Sequence, residues 1–375
     1  MRKKKNNILN FSDNSIDYTL LITILLLLSL GLIMVLSASS PTALSESGNS
    51  YTYFAKQGAF AIVGLFCMFV ISKINYRIYR KFYILGYIAS IILLVLVMLI
   101  GKEVNGAKRW LGITESFSFQ PSEMVKIFMI IFYAAVLTKN KEDLGKFFKG
   151  FVKNFAFLIP IAALLMVEPH FSATMVITGI VLVMMILAGC KLWHIIVPGV
   201  IAGVPALIFI VVKEAYRLKR VTAFLDPWSD KLGDGWQVVQ SLYAIGSGGL
   251  FGTGLGQSKQ KYLYLPEPQN DFIFSVLAEE LGFIGCLFVI ILFAILIWRG
   301  ILIAIKAPDM FGSLLAIGIT SLIAIQSIIN IAVVTSSMPA TGMPLPFFSY
   351  GGTALLILLC EMGILLNISR NVNKI

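Results

Sequence analysis

The chain has few charged residues, and this scarcity excludes most classes of soluble protein. Asp, Glu, Lys and Arg make up 13% of the 375 residues, and apolar residues make up 58%, against about 25% and about 45–50% in soluble globular proteins. A soluble chain of this composition could not cover its own core. Together with a mean hydropathy of +0.88, these values exclude a cytosolic enzyme and a disordered protein. They predict an all-α, polytopic integral membrane protein.

Cysteine and histidine are scarce as well. The four cysteines form no C-x-x-C motif and three of them lie in apolar blocks, so a secreted disulfide scaffold is excluded and we expect reduced, buried thiols. The two histidines, His170 and His194, have no second ligand at metal spacing. The sequence therefore predicts no metal site.

Long apolar blocks dominate the chain, and ten of them approach the roughly 20 residues that a membrane-spanning helix needs. The fifth and sixth blocks are separated by Glu168-Pro169-His170, where proline and its polar neighbours predict a tight turn. We expect a single membrane domain over residues 1–375. The predicted spans are 18–39, 54–73, 83–101, 120–138, 154–169, 170–188, 193–212, 271–297, 310–334 and 350–368.

Lysine and arginine are distributed unequally between the two sides of these spans. Eighteen lie in the segments on the side of the termini, and three lie in the short loops of the other side. The positive-inside rule then places both termini in the cytoplasm. The net charge of +11 reflects this topology, so we do not expect a nucleic acid partner.

A segment of almost sixty residues, 213–270, is predicted as a large loop on the outer side. Loops of this length in compact proteins are usually functional, although a solvated collar facing the lipid is the alternative. Its glycine-rich run at 246–256 matches neither nucleotide-binding spacing. These glycines instead indicate a re-entrant or interfacial chain that turns tightly.

Ionisable residues inside or beside a span are candidates for function. Asp271 opens the eighth span, four residues after Glu267, and suits a general base. The alternative is a carboxylate placed at a helix start by the helix dipole. Glu123 and Lys126 share one face of the fourth span. They are candidates for a functional site, and the alternative is an ion pair that only makes their burial tolerable. Gln326 and Asn330 on the ninth span are either interhelical contacts or cavity lining.

Several longer motifs of the chain resemble the SEDS family, the FtsW, RodA and SpoVE polymerases of bacterial cell-wall synthesis, and most of all its FtsW/SpoVE branch. The resemblance covers nearly the whole chain. The motifs that carry it are Gln120-Pro121-Ser122-Glu123 with Lys126, Asp226-Pro227-Trp228, Gly235-Trp236-Gln237, Gln240-Ser241-Leu242-Tyr243-Ala244, Leu265-Pro266-Glu267, Asp271-Phe272-Ile273-Phe274, Ala278-Glu279-Glu280-Leu281-Gly282 and Pro346-Phe347-Phe348-Ser349-Tyr350-Gly351-Gly352.

This resemblance implies a ten-span fold in the bacterial plasma membrane and a peptidoglycan glycosyltransferase that polymerises lipid II. It also implies a class B penicillin-binding protein as partner, beside other division or sporulation proteins. The family's essential aspartate maps onto Asp271. The chain departs from the family pattern at Pro169-His170-Phe171-Ser172, which lacks the usual acid, at Lys231, where proline is usual, and at Pro344, where threonine is usual.

For this reaction we expect Asp271 to act as general base and other side chains to contact the substrate. Arginine suits a diphosphate best because it binds in a bidentate manner. A divalent cation is an alternative charge partner, and no carboxylate cluster in the sequence establishes a site for it. A lipid II flippase and a scaffold for a transpeptidase remain the alternative functions. The predicted substrate contacts are Arg109, Glu123, Lys126, Arg217, Arg220, Lys259, Lys261 and Glu267.

Overall fold

Long apolar helices form most of the protein. A computed structural model describes residues 16–104, 107–112, 118–213, 215–233, 235–262 and 264–372. In these ranges, nine helical segments are long and apolar enough to cross a membrane. They are Tyr18–Ser47 (α1), Thr52–Ile71 (α2), Tyr83–Ile100 (α3), Pro121–Lys139 (α4), Phe147–Val167 (a π-helical turn followed by α5, Lys153–Ala156, and α6, Leu158–Val167), Phe171–Ala188 (α7), Ile273–Lys306 (α12), Met310–Val334 (α13) and Gly352–Arg370 (α14).

These nine segments coincide with nine of the ten predicted blocks, although α1 and α12 extend well past the predicted ends at 39 and 297. The tight turn at Glu168-Pro169-His170 is confirmed, because α6 ends at Val167 and α7 begins at Phe171. The remaining block, 193–212, differs from one regular helix. It consists of α8 (Leu192–Pro198), a π-helical turn (Gly199–Gly203) and α9 (Val204–Lys213), since Pro198 and Pro205 cannot donate the main-chain hydrogen bonds of a continuous α-helix.

Two segments between the spans contain more regular structure than the sequence predicts. The predicted loop 213–270 includes the helices α10 (Ala215–Leu225) and α11 (Trp236–Gly248), which the sequence did not indicate. The residues between α3 and α4 form a small antiparallel sheet of β1 (Lys102–Val104), β2 (Ala107–Gly112) and β3 (Ser118–Phe119). Among the described residues, the regular structure is thus helical except for three short strands, and turns and loops join these elements.

The glycine-rich run lets the segment after α11 pack tightly against the first turns of α12. Gly252 has φ +81°, and a Cβ there would lie 2.1 Å from the Glu280 carbonyl oxygen. Gly282 has φ +67° and interrupts the helical backbone inside α12. Both positions need glycine, because other residues are strained in this region and no space remains for a side chain. The chain therefore turns back beside α12, as the glycines indicate.

Buried carboxylates of α12 bind the segment that follows this turn. Glu279 accepts hydrogen bonds from the Ser258 hydroxyl at 2.5 Å and the Lys259 N–H at 2.8 Å. Glu280 accepts from the Ser37 hydroxyl of α1 at 2.6 Å and pairs with Lys261 at 2.9 Å. These bonds satisfy polar groups that would otherwise be costly in an apolar interior.

The centre of the bundle is formed by α4, α13 and α14, which are the most buried of the nine segments. At the end of the bundle where α1 begins and α14 ends, Asp17 caps α1 by accepting from the Leu20 N–H at 3.0 Å. The same carboxylate pairs with Arg299 of α12. The opposite end carries the small sheet, α11 and Asp271.

Candidate active site

A cavity of about 490 Å³ opens at the Asp271 end of the bundle. Its walls come from β2, from α4, α7, α13 and α14, and from the segments before α12 and before α14. This volume lies within the range of about 300–1,000 Å³ that is usual for ligand pockets. Five predicted site residues line it together, namely Asp271, Glu267, Arg109, Glu123 and Lys126.

The backbone around Asp271 is anchored by hydrogen bonds from two other parts of the chain. The Asn330 amide on α13 donates to the Asp271 carbonyl at 2.8 Å and to the Met343 carbonyl at 2.7 Å. The Ser349 hydroxyl donates to the Asn270 carbonyl at 2.7 Å. Asn330 thus joins α13 to the segments on both sides of the cavity. The sequence had allowed either an interhelical contact or a cavity-lining position for this residue.

The carboxyl group of Asp271 does not cap α12. The N-cap residue of that helix is Phe272, and no side chain accepts a hydrogen bond there. Burial and the Glu267 carboxylate raise the pKa of Asp271 to about 6, against the opposing effect of Arg220 and Arg109. A carboxyl group stabilised by a helix start would have a lowered pKa. The raised pKa of Asp271 instead favours a group that exchanges a proton near neutral pH.

Two arginines place positive charge near Asp271, and both also contact the backbone of neighbouring segments. Arg109 on β2 donates to the Pro169 carbonyl at 2.6 Å. Arg220 on α10 donates to the Ala340 carbonyl at 2.8 Å. Both guanidinium groups lower the pKa of Asp271, which indicates that each lies within electrostatic reach of the carboxylate. An anionic group bound in the cavity would meet the same charges.

The deeper end of the cavity holds an ion pair and a third ionisable side chain. Lys126 and Glu123, one turn apart on α4, pair at 2.7 Å. Glu361 of α14 lines the same cavity and is only 2% exposed. Glu361 is not among the site residues predicted from the sequence, although an acidic residue inside an apolar span is itself a signal of a functional site.

The turn that departs from the family pattern forms part of the cavity wall. Burial is the main cause that lowers the pKa of His170 to about 3, and the positive charges of Arg109 and Lys126 lower it further. The imidazole is therefore neutral at pH 7. Its Nε2 lies 3.2 Å from the Gln120 amide nitrogen. Burial raises the pKa of the adjacent Glu168 to about 8. The turn therefore presents the neutral imidazole of His170 to the cavity at pH 7.

Three predicted substrate contacts do not line this cavity, namely Arg220, Lys259 and Lys261. Lys261 is 3% exposed and pairs with Glu280, so it neutralises a buried carboxylate, and its contact with the substrate stays a prediction. Lys259 donates its N–H to Glu279 and does not line the cavity. The side chain of Arg217 lies outside the described residues. Among the described residues, no group of three or more His, Cys, Asp or Glu side chains is arranged to hold a metal ion.

Comparison with known proteins agrees with the fold. The family model of the FtsW, RodA and SpoVE cell cycle proteins matches residues 18–374. The chain belongs to this family. It is 45% identical over 356 residues to stage V sporulation protein E of Bacillus subtilis, covering 94% of this chain and 97% of the relative. It is 43% identical over 358 residues to the probable peptidoglycan glycosyltransferase FtsW of Trichlorobacter lovleyi, covering 95% and 93%.

Solved structures of SEDS proteins share the architecture. A peptidoglycan synthase complex that coordinates polymerization and crosslinking contains a chain with a TM-score of 0.78 and 27% identity, covering 95% of this chain and 98% of that one. The rod shape determining protein RodA of Thermus thermophilus gives a TM-score of 0.70 and 25% identity, covering 96% and 98%. This SEDS chain is thus a multi-pass membrane protein with the RodA fold.

Proposed function

We propose that the chain is a peptidoglycan glycosyltransferase that polymerises lipid II into β-1,4 glycan strands. The observation that carries the proposal is the position of Asp271, a partly buried carboxyl with a pKa of about 6 in the wall of a cavity that also contains Arg109 and Lys126. At neutral pH this carboxyl is ionised, yet it is a stronger base than an ordinary aspartate. That combination suits a general base.

The reaction needs one proton acceptor and one site for a leaving anion. The 4-hydroxyl oxygen of the acceptor sugar forms a bond to the anomeric carbon of the donor, and the bond from that carbon to the diphosphate oxygen breaks. Asp271 takes the hydroxyl proton, and undecaprenyl diphosphate leaves with the bonding electron pair. Attack from the opposite face converts the α-linked donor into a β-1,4 product.

Cationic side chains of the cavity suit the leaving diphosphate. Arg109, Lys102 and Lys126 line the cavity, and Arg220 acts electrostatically on Asp271. Guanidinium groups hold phosphate oxygens through charge-assisted, bidentate hydrogen bonds. In this proposal, Glu267 and Glu123 adjust the charge of the site, and Glu267 keeps the pKa of the base high.

The same proposal gives the protein an orientation and partners. Both termini lie in the cytoplasm and the Asp271 cavity opens on the outer side, where lipid II is used. A class B penicillin-binding protein crosslinks the strands that this chain makes, and other division or sporulation proteins join the assembly. The excess of cations at the end of the bundle opposite to Asp271 supports this orientation.

The test is polymerisation by purified protein, together with its transpeptidase partner, supplied with lipid II. Asp271→Asn keeps the size of the side chain and removes its basicity, so we expect a rate about 10²–10⁴-fold lower, as for loss of a general base. Asp226→Asn is the matched control, because that exposed carboxylate accepts a local hydrogen bond from the Trp228 N–H at 3.1 Å. Near-normal polymerisation by Asp271→Asn contradicts the catalytic role.

The same assay separates the alternative functions. A flippase moves lipid II between leaflets of a vesicle without forming polymer, whereas a scaffold supports polymerisation that does not depend on Asp271. The protein level in the membrane and the binding of the partner are measured for both variants. Normal values for Asp271→Asn show that a lost rate reflects chemistry rather than folding.

A further inference from the structure

A second cavity of about 430 Å³ lies on the other side of the segment that leads to Asp271. It is lined by the end of α1, the start of α2, the segment 265–270 and Tyr350. We name it the Tyr53 cavity, after the aromatic residue that α2 contributes. Glu267, Asn270 and Tyr350 line both this cavity and the Asp271 cavity. The two cavities therefore meet at residues adjacent to the candidate base.

Aromatic rings form one side of the Tyr53 cavity. The rings of Tyr53 and Tyr350 pack edge to face, with centroids 4.8 Å apart and an interplanar angle of 82°. The Tyr53 hydroxyl donates to the Glu46 carboxylate at 2.6 Å, which fixes the orientation of its ring. An aromatic ring held in this way offers an electron-rich face, and the polarised C–H groups of a sugar ring pack on such faces.

The charges of the Tyr53 cavity suit an uncharged polar ligand and disfavour a phosphate. Its carboxylates are those of Glu46 and Glu267, which accept hydrogen bonds from hydroxyl groups and repel anions. The lysine in its lining, Lys261, is 3% exposed and its ammonium group lies 2.9 Å from Glu280. The Asp271 cavity differs, since it is lined by Lys102, Arg109 and Lys126.

We propose that the Tyr53 cavity binds uncharged sugar units of the growing glycan strand, while the diphosphate end of that strand lies in the Asp271 cavity. The inference rests on the proposed polymerase function. After each addition, the strand is held by its sugars while its lipid-linked end is repositioned. Tyr53 and Glu46 are thus binding residues for the strand, and their contact raises the number of additions per strand.

One test measures the length of the glycan strands made from lipid II. For Tyr53→Ala we expect strands at least threefold shorter than those of the unchanged protein, compared after equal consumption of lipid II. Tyr53→Trp keeps an aromatic face and should restore most of the length. Tyr51→Ala is the matched control, because Tyr51 precedes α2, is 61% exposed and does not line the cavity. Equal strand lengths for Tyr53→Ala and Tyr51→Ala overturn the proposal.

A second test is independent of catalysis and separates this proposal from the polymerase function. The probe is the uncharged β-1,4-linked tetramer of N-acetylglucosamine, whose binding to the full-length protein in detergent is measured by calorimetry. We expect at least a tenfold loss of affinity for Tyr53→Ala and an unchanged affinity for Asp271→Asn. Binding that survives Tyr53→Ala, or no binding to the unchanged protein, overturns the glycan site. Polymerisation by the unchanged protein, measured beside it, reports on the proposed function alone.

Discussion

Asn330 offers a sharp test of how the fold positions the candidate base. Its amide donates to the Asp271 carbonyl at 2.8 Å and to the Met343 carbonyl at 2.7 Å, and the residue is 1% exposed. Asn330→Ala removes both bonds, each with a net contribution of about 0.5–1.5 kcal/mol. We therefore expect the free energy of unfolding to fall by about 1–3 kcal/mol, and Asp271 to lose its anchored position.

The expected kinetic effect is a lower kcat rather than a higher KM. At about 1.4 kcal/mol per factor of ten, the loss of both bonds corresponds to roughly a 5- to 150-fold lower kcat if it is expressed at the transition state. KM for lipid II should stay within threefold, because Asn330 holds main-chain carbonyls and is not a lining residue of the cavity. Asn330→Asp should be no better than alanine, since an ionised carboxylate cannot donate hydrogen bonds.

Gln326 is the matched control for this experiment. It lies one turn earlier on the same face of α13, lines the cavity, and contacts the Met343 sulfur at 3.9 Å. Gln326→Ala thus removes a buried amide of similar size without touching the Asp271 backbone. The assay is steady-state polymerisation at several lipid II concentrations, with thermal unfolding measured in parallel. Equal kcat values for Asn330→Ala and Gln326→Ala would refute the positioning argument.

Further predictions concern pH, topology and folding. Because Asp271 must be ionised to act as a base, kcat/KM should fall as the pH is lowered through about 6, and Glu267→Gln should move this apparent pKa downward by removing the carboxylate that raises it. An unchanged midpoint would contradict the coupling. A cysteine introduced at position Lys146 should not react with a membrane-impermeant maleimide in intact cells and should react after permeabilisation. Labelling in intact cells would contradict the proposed orientation. Lys261→Met should lower the free energy of unfolding by about 3–5 kcal/mol, because it leaves the buried Glu280 carboxylate unpaired. Unchanged thermal stability would show that this pair is dispensable.

The sequence by itself determined the membrane class, most of the span positions and the identity of the candidate base. Apolar length is a local property, so the blocks at 310–334 and 120–138 correspond to α13 and α4 within one residue. Pro169 and its polar neighbours are also a local signal, and they predicted the turn between α6 and α7. Asp271 could be singled out because an ionisable residue at a membrane span is energetically costly and is therefore a candidate for function.

Local patterns were less informative where tertiary packing competes with them. The block at 193–212 is apolar enough for a span, but its prolines divide it into α8, a π-helical turn and α9. The segment 213–270 is interrupted by glycines and charges, yet it contains α10 and α11, because α11 gains a partner in α12. The kink at Gly282, which lies against the segment after α11, cannot be predicted from an apolar run.

Only the tertiary structure decided which charged and aromatic residues share a site. Arg109, Glu361 and Asp271 come from distant parts of the chain and meet in one cavity, whereas Lys261, ten residues before Asp271 in the sequence, points to Glu280 instead. Spacing along a chain specifies which residues share one helix face. Which faces then meet depends on how helices cross and bend, and that is a property of the packed bundle.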